Sequence, residues 1–116
     1  MIYHITPVPK PRMTQRDKWK QRPCVMEYRA FKDRLRLKKV VIPESFCVTF
    51  FMPMPESWSK KKKTEMEGMP HKVRSDLDNL VKGLLDFLPE DSHVWRVHGQ
   101  KVWAYEGAIM IDEILD

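Results

Sequence analysis

The sequence predicts an α+β fold, a mixed β-sheet packed with two helices in the order β-α-β-flap-α-β-β-β. Three observations carry this. Apolar residues recur at Leu77, Leu80, Val81, Leu84, Leu85 and Leu88, the spacing of one buried helical stripe. Residues 45–52 (Ser-Phe-Cys-Val-Thr-Phe-Phe-Met) are aromatic and β-branched with apolar side chains at both parities, as in a strand covered on both faces. Prolines and charge runs then divide the rest into short elements.

In chain order, residues 2–8 alternate and read as a first strand, its end marked by Pro7. A loop punctuated by Pro9, Pro11 and Pro23 follows, carrying Lys10, Arg12, Arg16, Lys18, Lys20 and Arg22 around Trp19. Cations interleaved with an aromatic suit a nucleic-acid backbone and a stacking base; a solvated loop with Trp19 folded onto the core is the alternative. Residues 24–39 read as a helix burying Cys24, Tyr28, Phe31 and Leu35, and Pro43 stops it. The central strand over 45–52 is closed by Pro53 and Pro55.

Residues 56–74 show no periodicity and hold Trp58, the run Lys60, Lys61, Lys62, Lys63, then Lys72 and Arg74. So long a loop inside a compact domain is usually functional, and this one reads as a flexible basic flap that clamps a phosphate backbone. The second helix runs over 77–88 and ends at Pro89. Gly83 inside it suggests close approach of another backbone. Strands near 93–97, over 101–105 and over 108–114 follow, with turns at Gly99-Gln100 and Gly107.

All 116 residues are expected to form one domain. No apolar run nears the ~20 residues of a membrane span, and no signal-peptide pattern opens the chain. Cys24 and Cys47 read as reduced core residues of a cytoplasmic protein, and the four scattered histidines give no zinc spacing. The net charge of +5 conceals an asymmetry: residues 1–75 hold 18 Lys and Arg against 7 acids, and residues 76–116 hold 3 against 9. The basic part implies a polyanionic partner, and the acidic part is where a cation would be held.

The chemistry concentrates in Asp76-Leu77-Asp78-Asn79-Leu80-Val81-Lys82. Residues two apart do not face each other on a helix, so Asp76 and Asp78 can share a cation only if Asp76 lies in extended backbone just before the helix. Ser75 or Asp76 as N-cap puts it there. Lys82 sits one turn beyond Asp78. Asp86, about 12 Å from Asp78 along the axis, is too far for the same ion and is expected to pair with Lys82. Asp91 is the further candidate carboxylate. Together these point to metal-dependent phosphodiester cleavage. The competing readings are capping chemistry without function on a nucleic-acid-binding module, and a metal enzyme acting on nucleotides.

With these residues in place, the chain resembles the RusA family of Holliday-junction resolvases, many of them encoded by phages and prophages. The resemblance rests on Asp76-Leu77-Asp78-Asn79-Leu80 with Lys82 and Asp86 on the same helix. Glu90-Asp91 stands for the family's Asp-Asp pair, Pro70-His71 precedes the motif, and Ser57-Trp58-Ser59-Lys60-Lys61 matches the flap. It departs from the family at Glu90, at Ser75 where proline is frequent, and at Pro89 where a glycine is usual. The resemblance implies that Asp76, Asp78 and Asp91 bind Mg²⁺, with Mn²⁺ as a substitute, and that Lys82 assists catalysis. It also implies a homodimer that makes paired nicks across four-way DNA in recombination and repair, inside a bacterial or phage-infected cell. Lys60, Lys61, Lys62, Lys63, Lys72, Arg74, Arg16 and Lys18 would hold the DNA.

Overall fold

A computed structural model describes residues 1–12 and 22–115. Among these, seven elements follow in order: β1 (Ile2–Tyr3), α1 (Pro23–Leu37), β2 (Ser45–Pro53), α2 (Lys60–Met66), α3 (Leu77–Leu85), β3 (Arg96–Ala104) and β4 (Ala108–Glu113). The strands form one mixed sheet in the order β1-β4-β2-β3, with β2 parallel to β3 and antiparallel to β4. The α+β class with a mixed sheet is therefore as expected, with a third helix added. Among the described residues no helix is long and apolar enough to cross a membrane.

β2 is central, and Phe46, Val48 and Phe50 are almost wholly buried. They pack with Ile109 and Ile111 of β4 against Tyr28, Phe31 and Leu35 of α1 and Leu80 and Leu84 of α3. α1 begins with Pro23 in its first turn, and its buried stripe is the expected one except at the first position. Val25, Tyr28, Phe31 and Leu35 face inward, while Cys24 is exposed. Cys47 is exposed as well, so the expectation of two core cysteines is corrected on both counts. α1 closes in a Schellman motif: the Val40 amide donates to the Leu35 carbonyl and the Lys39 amide to that of Arg36, with Lys39 in the left-handed region at φ 53°.

The first strand is far shorter than the expected 2–8. After Tyr3 the chain turns tightly, the Ile5 amide donating to the Tyr3 carbonyl. Ile5 and Val8 then go into the core as irregular backbone. This segment lies against α3, where the Lys10 amide donates to the Asn79 carbonyl. Gly83 is what permits the approach: a Cβ there would lie 2.9 Å from the Val8 carbonyl oxygen and 3.3 Å from the Lys10 amide nitrogen. The expectation that Gly83 accommodates another backbone is met.

Three further expectations are corrected. α3 ends at Leu85 rather than Leu88, because Pro89 disfavours helical backbone at the residue before it and 86–88 form a turn. Gly99 and Gln100 are not a turn. They sit in the middle of β3, opposite Val48 and Thr49 of β2, and the Gln100 side chain donates to the Thr49 hydroxyl. Among the described residues two strands thus follow α3 where three were expected. Within the basic segment, Ser59 caps α2 by accepting from the Lys62 amide at 3.2 Å. Residues 68–71 then bond along β3: Gly68 and His71 donate to the carbonyls of Trp103 and Lys101, and Trp103 to that of Met69. The stretch expected to lack regular structure contains a helix and is hydrogen-bonded to the sheet edge.

Candidate active site

Asp76 occupies the N-cap of α3 in extended backbone (φ −68°, ψ 139°), and its side chain makes no capping hydrogen bond. This is the arrangement the two-residue spacing requires. Asp78 lies in the first turn, where its charge suits the helix dipole. Lys82 Nζ lies 3.7 Å from Asp78 Oδ2, and the two side chains are 63% and 68% exposed. Such an exposed pair contributes at most ~0.5 kcal/mol to the fold, so both groups remain available for chemistry. The loop delivering Asp76 is held from below by Lys101 of β3, whose ammonium donates to the carbonyls of Val73 and Ser75. Sequence reasoning missed Lys101, because nothing local signals a lysine that clamps a loop 26 residues earlier.

The two carboxylates open on separate clefts. Asp76 shares one of about 470 Å³ with Lys10, Arg12, Arg74 and Asn79. Asp78 and Lys82 share another of about 570 Å³, whose β3 wall is Val97 and Gly99. Asp91 is in neither. It lies exposed in the loop leaving the C-terminal end of α3, where its carbonyl accepts from the Val94 amide. Along the chain the nine-residue helix α3, about 13 Å long, separates it from Asp76. Among the described residues no three His, Cys, Asp or Glu side chains come together as a group that could hold a metal ion. The expected convergence of Asp76, Asp78 and Asp91 is therefore not formed within one chain. Beside Asp91, Glu90 accepts from the Ser92 amide, which holds its carboxyl below the usual range.

Asp86 also departs from expectation. It does not pair with Lys82. Tyr28 donates to it at 2.6 Å, and Lys10 and Lys32 lie at 3.4 and 3.5 Å. Burial acts to raise its pKa, but the Tyr28 hydrogen bond and the two lysines outweigh it and hold the carboxyl below the ordinary range. Burial, then the adjoining carboxylate, pushes the Tyr28 hydroxyl well up. Asp86 therefore ties α3 to α1 and to the N-terminal segment, fixing the helix that carries the site.

Of the expected phosphate contacts, Lys60, Lys61, Lys62, Lys72 and Arg74 are exposed and Lys63 is half-buried. Arg16, Lys18 and Trp19 lie outside the described residues. His71 is 5% exposed and packs on Trp103 at 4.2 Å between ring centroids. Burial, with Lys101 nearby, lowers its pKa and favours a neutral ring of structural use.

As a metal site, the donor set suits a hard cation in kind. Carboxylate oxygens are what Mg²⁺ selects, and one or two of them with substrate phosphate and water commonly complete its shell. Asp76 and Asp78 supply that number of carboxylates from adjoining clefts, and among the described residues no all-protein cage is formed.

Three comparisons with known proteins bear on the chain. No curated protein and no solved structure matches it significantly. A family model described as Endodeoxyribonuclease RusA matches residues 4–112. That span runs from the residue after β1 to the penultimate residue of β4 and takes in both carboxylates, Lys82 and the basic segment. By this match over nearly its whole length, the chain belongs to the RusA family of Holliday-junction-resolving endodeoxyribonucleases.

Proposed function

We propose that the chain is a Mg²⁺-dependent, structure-specific endodeoxyribonuclease that acts in the cytoplasm as a homodimer and resolves four-way junctions by paired symmetric nicks. The observation that carries this is the start of α3: two exposed carboxylates flank the first turn, with a lysine one turn on, in a family of DNA-cleaving enzymes. Asp76 and Asp78 would hold the ion, with water and a DNA phosphate completing its shell. When bound, Mg²⁺ supplies charge neutralisation at the phosphate and an acidified water.

The chain's own residues do the rest. Lys82 leaves Asp78 to meet the scissile phosphate, where an ammonium stabilises developing negative charge. Arg12 and Arg74, lining the Asp76 cleft, orient the strand entering from that side. Lys60, Lys61 and Lys62 on α2, with Lys72, bind the neighbouring backbone. A twofold dimer would place two such sites in the symmetry of a four-way junction.

The direct test labels each strand of a junction and maps nicks with Mg²⁺, with Mn²⁺ and with chelator. Symmetric metal-dependent nicks are expected; nicks on one strand alone would remove the paired-site reading. Replacing Lys60, Lys61, Lys62 and Lys63 with alanine should weaken binding and reduce the slope of log affinity against log salt by roughly 2–4, about one unit per lost phosphate contact. An unchanged slope would show that α2 does not touch DNA. Asp91→Asn should nick within about threefold of wild type, as for an exposed substitution away from the site. A loss comparable to that at Asp78 would bring Asp91 back into the metal centre.

A second reading is favoured by one observation: β3 faces Asp78 and Lys82 with Val97 and Gly99, and among the described residues no third carboxylate joins them. On this reading the chain binds junctions without cutting them. Tight junction binding with no nick in either metal would establish it.

A further inference from the structure

The basic segment does more than carry charge. Between α2, residues 66–73 and the end of β3 lies a cavity of about 320 Å³, near the lower end of sites that take small ligands. Trp58 and Trp103 meet there with ring centroids 4.8 Å apart and planes tilted by 55°. Met66 and Met69 complete an apolar wall, and Lys62 and Lys72 stand at its rim. Lys62 Nζ lies over the Trp58 ring at 4.2 Å. Trp103 is 7% exposed and fixed from three sides: it packs against Trp58 and His71, and its backbone is bonded to Gly68 and Met69. His71 Nδ1 is buried with no hydrogen-bond partner among the described residues.

This is an aromatic, apolar chamber opening among cations, beside the helix that carries the lysine run. We propose that it receives one unpaired nucleobase of a branched DNA, stacked on Trp58, while Lys62 and Lys72 take the flanking phosphates. The proposal rests on the reading of the chain as a DNA-binding enzyme. Three features argue for a base as occupant. A base is the only apolar part of DNA that fits an aromatic wall, and every base offers a π-face whatever its sequence. The rim is cationic, matching the phosphates on either side of an extruded base. The ammonium that covers Trp58 in the free chain sits on a flexible stem and can move to a phosphate as the base enters. Branch points supply such bases, because pairing and stacking are interrupted there.

The test compares two labelled DNAs of equal length, a fully paired duplex and the same duplex with one unpaired 2-aminopurine. Wild type is expected to prefer the unpaired form and to quench the 2-aminopurine by stacking. Trp58→Ala should remove the preference, a loss on the order of 10- to 100-fold, and the quenching, with paired-duplex affinity little changed. Trp58→Phe should keep both. Val73 is 56% exposed at the mouth of the cavity, so Val73→Trp should fill the chamber without disturbing the core. It should abolish the preference even if Trp58→Ala fails to fold. Equal binding of the two DNAs by wild type, or a preference that survives both Trp58→Ala and Val73→Trp, overturns the pocket and leaves the DNA-binding reading standing. Failure to bind either DNA at low salt overturns both.

Discussion

Asp78→Asn is expected to lower junction nicking in Mg²⁺ by on the order of 100-fold or more, with junction binding retained or tightened. The change keeps size and shape and removes one charge. Its cost to the fold is small, since Asp78 is 68% exposed and its partner Lys82 is 3.7 Å away in water. A first-turn carboxylate contributes at most ~1 kcal/mol through the helix dipole. A large loss of rate in a protein that melts almost as wild type therefore reports chemistry. Tighter binding follows because a negative charge beside an incoming phosphate is gone. Asp76→Asn should behave alike, since its side chain makes no capping bond whose loss would weaken α3. Nicking at the wild-type rate by either variant would displace the site from the start of α3.

Asp86→Ala should have the opposite signature, a loss of stability of about 2 kcal/mol with a secondary loss of activity. The removed carboxylate accepts from Tyr28 at 2.6 Å and neutralises Lys10 and Lys32. Its side chain is 34% exposed, so solvent screens the ion pairs and the figure stays below that for a fully buried triad. Asp86→Asn keeps an acceptor for Tyr28 and should lose less. The effect depends on pH with a definite sign. The folded carboxyl titrates below its unfolded value, so its contribution is complete above the ordinary carboxylate range near ~4 and disappears as pH falls through the lower folded value. Urea unfolding midpoints of wild type and Asp86→Ala should differ at pH 7 and converge in acid. A constant gap down to the lowest accessible pH would show that the carboxylate's charge is not what matters.

α3 was readable in advance because period, cap and composition agree: an apolar stripe begins at Leu77, and an acidic residue stands just outside it. The same agreement placed Asp76 in extended backbone. β2 was readable because aromatic and β-branched side chains at both parities admit few other structures. Gly99-Gln100 misled because glycine marks turns in isolation, whereas here a parallel neighbour supplies the hydrogen bonds and Val81 and Leu77 of α3 cover the bare backbone, 3.5 and 3.6 Å from where its Cβ would be. The helix within the lysine run was hidden because like charges read as solvated coil. Its determinants are one serine cap and a tryptophan that packs on a partner 45 residues away.

The third carboxylate shows a different limit. The resemblance set Asp91 beside Asp76 and Asp78, but sequence alone could not say whether the loop after α3 folds back toward the start of the helix. That depends on β3 running parallel to β2, a pairing between segments some 50 residues apart. The Asp86 partners were invisible for the same reason, since Tyr28, Lys10 and Lys32 come from 54 to 76 residues away.

The most direct test of the account is the nicking rate of the wild-type chain on an end-labelled four-way junction as Mg²⁺ is raised from zero. The account predicts no cleavage in chelator, a rate that climbs with Mg²⁺ to a plateau, and nicks paired across the branch point. A junction that is bound tightly yet stays intact at every concentration of Mg²⁺, and of Mn²⁺ in its place, would contradict it.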